Sequence, residues 1–259
     1  MADPAFVPYA PLNELKPLAS EVWIVDGPEI GMRYLGLTLP FPTRMTIVRL
    51  PTGRLWVHSP IAWNDALGHA ITALGPVQHL IAPNTLHYWY LPDWHARFPQ
   101  ARSYGPPGLV EKARRAVKID ATLRDAAPAA WGGAFDLCLF PGSLLTELDF
   151  FHRPSQTLIL TDLIENFEPA RVKSRLLRWI MQAFGAADPD GKAPLDMQWS
   201  FLGHRRQVRA AAQRLIEWAP ERIILAHGRC YEAEAVAELR RAFRWALQPR
   251  FLDSFWPGA

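Results

Sequence analysis

Only two cysteines, Cys138 and Cys230, occur in 259 residues. They make no disulfide framework, and both sit in or beside apolar runs, where a free thiol in a reducing compartment is the expected state. Long apolar runs are also missing. No stretch approaches the roughly 18 uninterrupted apolar residues of a membrane-crossing helix, and the N-terminus has no basic segment followed by a leader-like apolar stretch. A cytoplasmic chain without a membrane span is the expectation. Charge of one sign is scarce too: 28 Lys and Arg against 25 Asp and Glu leave a formal charge of +3. The densest basic runs, Lys112 to Arg115 and Arg205 to Arg209, fall in expected helices and read as solvated faces. With no Arg-rich tail and no nucleic-acid module, nucleic acid is not an expected partner. No dinucleotide fingerprint or phosphate loop appears. Ser143 lacks the frame of a nucleophile elbow, and serine hydrolysis would need Ser143 or Ser59 to reach an activated histidine.

Apolar mass is what the chain has in abundance. It is 49% hydrophobic, with eleven Trp and thirteen Phe, enough to bury a large core. One domain over residues 1–259 is expected, with an N-terminal strap over 1–20, where four prolines break any periodicity, and a packed C-terminal tail over 246–259. Glu21 to Asp26 reads as a first strand, followed by a loop rich in Gly and Pro. Thr43 to Leu50 and Arg54 to His58 read as a hairpin around Pro51-Thr52-Gly53. Leu67, Ile71 and Leu74 recur at helical spacing until Gly75-Pro76, and Val77 to Ala82 resembles a buried strand. Helices are expected over 92–98 and 108–116. Strands follow at 137–140, 147–151 and 157–161, then helices at 171–184, 205–218 and 232–245, with a strand at 222–226 before the last. The pattern implies mixed sheet with helices outside it.

Two polar groups stand at the ends of apolar runs: Asp162 after Thr157-Leu158-Ile159-Leu160-Thr161, and His227 after Ile223-Ile224-Leu225-Ala226. A buried strand delivers such a group to the rim of a sheet, where the strand fixes the backbone and the following loop leaves room for a ligand. His58 ends another apolar run and either supplies a supporting hydrogen bond or is structural. Cys230, three residues beyond His227, could approach a metal. Tyr88, Trp89, Tyr90 and Trp94 either line a ligand pocket or pack as ordinary core.

The order of elements, with His58-Ser59-Pro60, Thr161-Asp162 and Ala226-His227-Gly228, resembles the metallo-beta-lactamase superfamily over roughly residues 12–250. More closely it resembles the DUF4336 branch, which carries an Asn and a nearby His after the strand ending in Ala-Pro. The resemblance implies an αββα sandwich, two mixed β-sheets face to face with outer helices. Active members are usually zinc or iron enzymes that hydrolyse esters, amides, thioesters or phosphodiesters, or act on oxygen or nitric oxide. Asp162 matches the acidic residue bridging two metals and His227 the last histidine ligand.

Where the superfamily has His-x-His-x-Asp-His, this chain has Asn84-Thr85-Leu86-His87-Tyr88-Trp89. The intermediate histidine is also missing near Phe140 to Ser143, although Glu147 lies close by. Zinc favours imidazole, thiolate and carboxylate, so Leu, Trp and an Asn amide do not sustain a two-metal centre. Two readings follow. One is an atypical hydrolase, or an iron-dependent oxidoreductase, with one Zn or Fe held by His87, Asp162 and His227, and with His58, Asn84, Tyr88, Trp89 and Glu147 around it. The other is a metal-free, non-enzymatic descendant that binds a small molecule or a protein. A small-molecule ligand of unknown identity is expected, and the aromatic tail could seal a homodimer.

Overall fold

The structure, a computed structural model, describes residues 4–34 and 37–248. Seven strands form the first sheet in chain order: β1 (Lys16–Ala19), β2 (Val22–Tyr34), β3 (Leu37–Arg49), β4 (Leu55–His58), β5 (Val77–Ile81), β6 (Arg102–Gly105) and β7 (Ala121–Thr122). Neighbours are antiparallel from β1 to β4 and parallel from β4 to β7. The second sheet comprises β8 (Phe135–Phe140), β9 (Glu147–His152), β10 (Thr157–Ile159) and β11 (Arg222–Ile224), antiparallel except for the parallel pair β10–β11.

Alternation along the strands builds the layers. Trp56, Phe150, Ile159 and Ile224 meet between the sheets. Their neighbours face outward: Leu55 and Val57 against Leu67 and Ile71 of α1 (Asp65–Leu74), and Leu158 and Ile223 against the second sheet's helices. Those are α6 (Arg205–Glu217), with Val208, Ala212 and Leu215, and α7 (Ala235–Ala242), with Leu239. This is an αββα sandwich of two mixed sheets, as the resemblance implied. Short helices α2 (Leu91–Arg97), α3 (Leu109–Lys112), α4 (Arg175–Phe184), α5 (Leu195–Ser200) and α8 (Arg244–Leu247) complete it. No helix among the described residues is long and apolar enough to cross a membrane.

Several expectations need correction. The Gly- and Pro-rich segment after Asp26 is not a loop; β2 and β3 form one long hairpin through it, with a bulge between Gly27 and Ile30. Its prolines are tolerated because β4 pairs with β3 only from Thr46 to Arg49, so the missing N–H groups of Pro40 and Pro42 interrupt no second ladder. The strap contributes β1, and Val7 N–H donates to Arg171 O at 2.7 Å. The helix expected over 108–116 is one turn. Strands β6 and β7, too polar or too short to signal themselves, lie beyond β5. The helix expected from Arg171 begins after Ser174, whose hydroxyl accepts from Leu177 N–H at 3.3 Å. The helix expected over 232–245 is broken at Phe243. Of the tail, Ala246 and Leu247 pack against the outer-helix cluster, while 249–259 lie outside the described residues, as does any dimer contact they would make.

The centre of the sandwich is Trp56, stacked on Phe135 at 4.5 Å between ring centroids and edge-on to Phe150 at 5.0 Å and Trp131 at 5.9 Å. Its indole N–H has no partner, so its contribution is packing alone. Trp56→Ala is expected to cost about 3–5 kcal/mol in urea unfolding, and Trp56→Phe less than half of that.

Candidate metal centre

Parallel pairing puts the carboxyl ends of β4 and β5, and of β10 and β11, on one rim of the sandwich. Hydrogen bonds carry the order past each strand: Ser59 N–H donates to Ile81 O at 3.0 Å, Leu160 N–H to Ile224 O at 3.0 Å, and Leu148 N–H to Pro83 O at 2.9 Å, tying the two sheets together. The His227 loop is held by the buried guanidinium of Arg44, which donates to Leu225 O at 2.6 Å and Gly228 O at 2.8 Å while Asp26 compensates its charge. Gly228 has φ +87°, and a Cβ there would stand 2.0 Å from Asn166 O, so the tight turn after His227 requires glycine.

Three ligand-type side chains converge at this rim. His87 Nε2 lies 3.2 Å and His227 Nε2 3.4 Å from the same oxygen, Asp162 Oδ1. One ligand atom from each of the three falls within 4.8 Å of the others, and no other such group of three occurs among the described residues. The side chains are 9%, 2% and 4% exposed for His87, Asp162 and His227.

The second atoms of these groups are taken. His227 Nδ1 lies 3.0 Å from Pro42 O. A carbonyl only accepts, so Nδ1 carries the proton. Burial pushes the His227 pKa down and His87 adds to this, while Asp162 opposes it; in the neutral ring Nε2 is the atom that faces Asp162. His87 Nδ1 meets Ser59 Oγ at 2.7 Å, with Ser59 at φ +53°. Asp162 Oδ2 accepts from Asn84 Nδ2 at 2.8 Å. Burial opposes the Asp162 charge, but the charge of His87 foremost outweighs it and holds the carboxyl well below its usual range. Burial likewise opposes the His87 cation, yet Asp162 and Glu147 raise its pKa.

Asn84 organises the floor. Its Oδ1 accepts from the backbone N–H groups of Leu86 and His87 at 2.8 and 2.9 Å, which fixes the amide's orientation. Its Nδ2 then faces Glu147 Oε2 at 2.9 Å, Thr161 Oγ1 at 3.0 Å and Asp162 Oδ2. Glu147 also accepts from Thr161 N–H at 2.8 Å and Asp162 N–H at 3.0 Å. Where the resemblance puts a first histidine ligand, an amide hydrogen-bonds two carboxylates and leaves no lone pair for a second metal.

The remaining expected residues lie elsewhere or behind. His58 is buried on Trp56 at 5.4 Å, its Nε2 without a partner, and burial with the nearby His87 keeps its pKa well below normal. Tyr88 turns to the outer face, where its hydroxyl accepts from Arg114 N–H and Arg115 N–H at 2.6 and 2.9 Å, and Trp89 is 41% exposed. Neither joins the cluster. Cys230 Sγ accepts from Arg44 at 3.3 Å rather than approaching a ligand position. The rings beside His227 are instead Phe41 at 5.6 Å and Phe167 at 6.0 Å. The sequence singled out neither, nor Ser59 as a partner of His87.

The two-sheet sandwich is the fold of the metallo-beta-lactamases. The chain belongs to the family described as a domain of unknown function, DUF4336, whose model matches residues 20–197. Similar solved structures include the FIM-1 metallo-beta-lactamase of Pseudomonas aeruginosa in its mono-zinc form, at 16% identity over 96% of this chain and 100% of that one, TM-score 0.54. A metallo-beta-lactamase of Hirschia baltica is 14% identical over 92% and 99%, TM-score 0.57. The metal-soaked Flv1 flavodiiron core of Synechocystis sp. PCC6803 is 14% identical over 94% of this chain and 62% of that one, TM-score 0.59. At these identities the likeness is one of fold. Comparison with curated proteins gave no match.

Behind Glu147 on β9, Asp149 is fully buried with both carboxylate oxygens unpartnered. Burial, then the charge of Glu147, pushes its pKa well above normal. A carboxyl whose folded pKa is raised stabilises the fold fully below its unfolded pKa and loses that contribution as pH rises toward the folded value. Asp149→Asn is therefore expected to gain on the wild type above about pH 4, by up to about 1.4 kcal/mol per pH unit in urea titrations. A difference that is constant with pH contradicts this assignment.

Proposed function

We propose that the chain is a mononuclear metal-dependent hydrolase of a small-molecule substrate, with His87, Asp162 and His227 as ligands. The observation that carries this reading is the convergence of His87 Nε2 and His227 Nε2 on one oxygen, Asp162 Oδ1, at 3.2 and 3.4 Å, with one ligand atom of each residue within 4.8 Å of the others. A neutral His227 offers Nε2 to a cation beside the carboxylate, and two imidazoles with one carboxylate suit zinc or iron. Bound there, such an ion supplies Lewis acidity and lowers the pKa of a water in its open position. The mono-zinc form of FIM-1 and the flavodiiron core of Flv1 supply a precedent for each metal on this fold. Zinc, with hydrolysis, is the reading adopted; iron with an oxidoreductase activity is its alternative.

The chain's own residues do the positioning. Pro42 O holds the His227 ring in the tautomer that offers Nε2. Ser59 Oγ can do the same for His87 by accepting from Nδ1. Asn84 occupies Asp162 Oδ2 and leaves Oδ1 for a ligand. Phe41 and Phe167 wall the His227 side and restrict water. Ser59, His87 and Asp162 also lie in a line suggestive of a nucleophilic triad. Ser59 is only 4% exposed, however, and a triad gives His227 no part.

Elemental analysis of protein purified without added metal or a metal-binding tag is the test. About one equivalent of zinc or iron is expected, falling severalfold in Asp162→Ala and His227→Ala with folding intact, while Ser59→Ala weakens the metal by about tenfold. A chain that holds neither metal after reconstitution with each contradicts the proposal.

A further inference from the structure

We propose that the segment carrying α4 and α5 docks, through the exposed face of α4 foremost, on the surface of an anionic lipid bilayer. The apolar stripe of α4 is wider than the core it covers. Met181 and Leu177 pack on Phe6, Phe167 and Val172. Leu176 and Trp179, one turn apart on the adjoining face, are 68% and 64% exposed, and Phe184 ends the same helix 39% exposed. Helix α5 repeats the pattern: Leu195 and Trp199, four residues apart, are 40% and 67% exposed, and Leu202 follows. Six of the ten large apolar side chains exposed among the described residues fall in this one segment between β10 and α6, more than single scattered residues would give.

Charge identifies the occupant. Lys173 and Arg175, at the N-terminal end of α4, are exposed and in no ion pair among the described residues. The acids of the segment are engaged or buried. Glu168 pairs with Arg171 at 2.9 Å, Asp188 with Arg229 at 2.6 Å and Asp190 with Arg241 at 3.8 Å, Glu165 is buried, and Asp196 has a partner. The open charge beside the apolar patch is therefore positive. A second copy presenting the same face would bring like charges together. A bilayer of acidic lipids accepts both halves of the pattern, apolar rings in the interface and cations at the headgroups. Tryptophan favours that interface, and a ten-residue helix is long enough to lie in it and too short to cross it.

The test is cosedimentation of the full chain with vesicles of phosphatidylcholine alone, or with about 30% phosphatidylglycerol. Binding is expected to be about tenfold tighter to the acidic vesicles and to weaken with salt, and brominated lipid should quench tryptophan fluorescence. Trp179→Glu, Trp199→Glu and the pair Lys173→Glu with Arg175→Glu should each lower it severalfold. Unchanged circular dichroism and melting are expected, because these side chains are exposed. No preference for acidic vesicles by the intact chain overturns the proposal. So does a homodimer in sedimentation equilibrium that the same substitutions dissolve, since the patch would then belong to a second copy. Metal content is measured on the same samples, so failure here is separable from failure of the metal site.

Discussion

Asp162 is a carboxylate held away from water with one oxygen facing two imidazoles and the other facing an amide, and the rim of the sandwich is arranged around that arrangement. An ionised carboxyl in such a place is stable only with compensating charge or donors. One oxygen receives them from Asn84, and its own N–H is taken by Glu147. The other is left to His87 and His227. A cation at that point satisfies all three groups at once. The surrounding apparatus makes sense as support for it: the Arg44 brace under the His227 loop, the Pro42 carbonyl on its ring, and the Ser59 contact on His87.

The altered His-x-His-x-Asp-His region then has a physical account. Where the resemblance implies a first histidine ligand, Asn84 donates its amide N–H groups to Glu147, Thr161 and Asp162 instead. Leu86 donates its backbone N–H to the side-chain Oδ1 of Asn84. Tyr88 and Trp89 leave the site altogether. The resulting turn brings His87, one position out of the superfamily register, up to Asp162. Beneath the cluster of His87, Asp162 and His227 lies a hydrogen-bonded floor built on Asn84 and Glu147.

Much of this was legible in the chain itself. Strands such as Val77–Ile81 and Thr157–Ile159 announce themselves as short apolar runs, and the polar residues ending runs of this kind, Asp162 and His227, lie 3.4 Å apart at the rim. Other features depend on partners distant in sequence. Polar β6 is a strand only because β5 and β7 flank it. Pro40 and Pro42 read as breakers until the free side of β3 is seen. Asp149, inside the apolar run Leu148-Asp149-Phe150, gives no sign that its carboxyl lies unpartnered behind Glu147. Ser59 could be named as a serine needing a histidine, but its approach to His87 follows from where β4 and β5 end.

The central claim is that His227 and His87 present unprotonated Nε2 atoms to one metal at Asp162. Nitrogen-15 NMR of the histidine rings during a zinc titration of metal-free protein reads this directly. The account predicts that His227 begins as the Nδ1–H tautomer, that the Nε2 signals of His87 and His227 shift together and saturate at one equivalent, and that His58 retains its neutral ring. Signals that never move with zinc, or an Nε2–H tautomer at His227 in the metal-free protein, would contradict it.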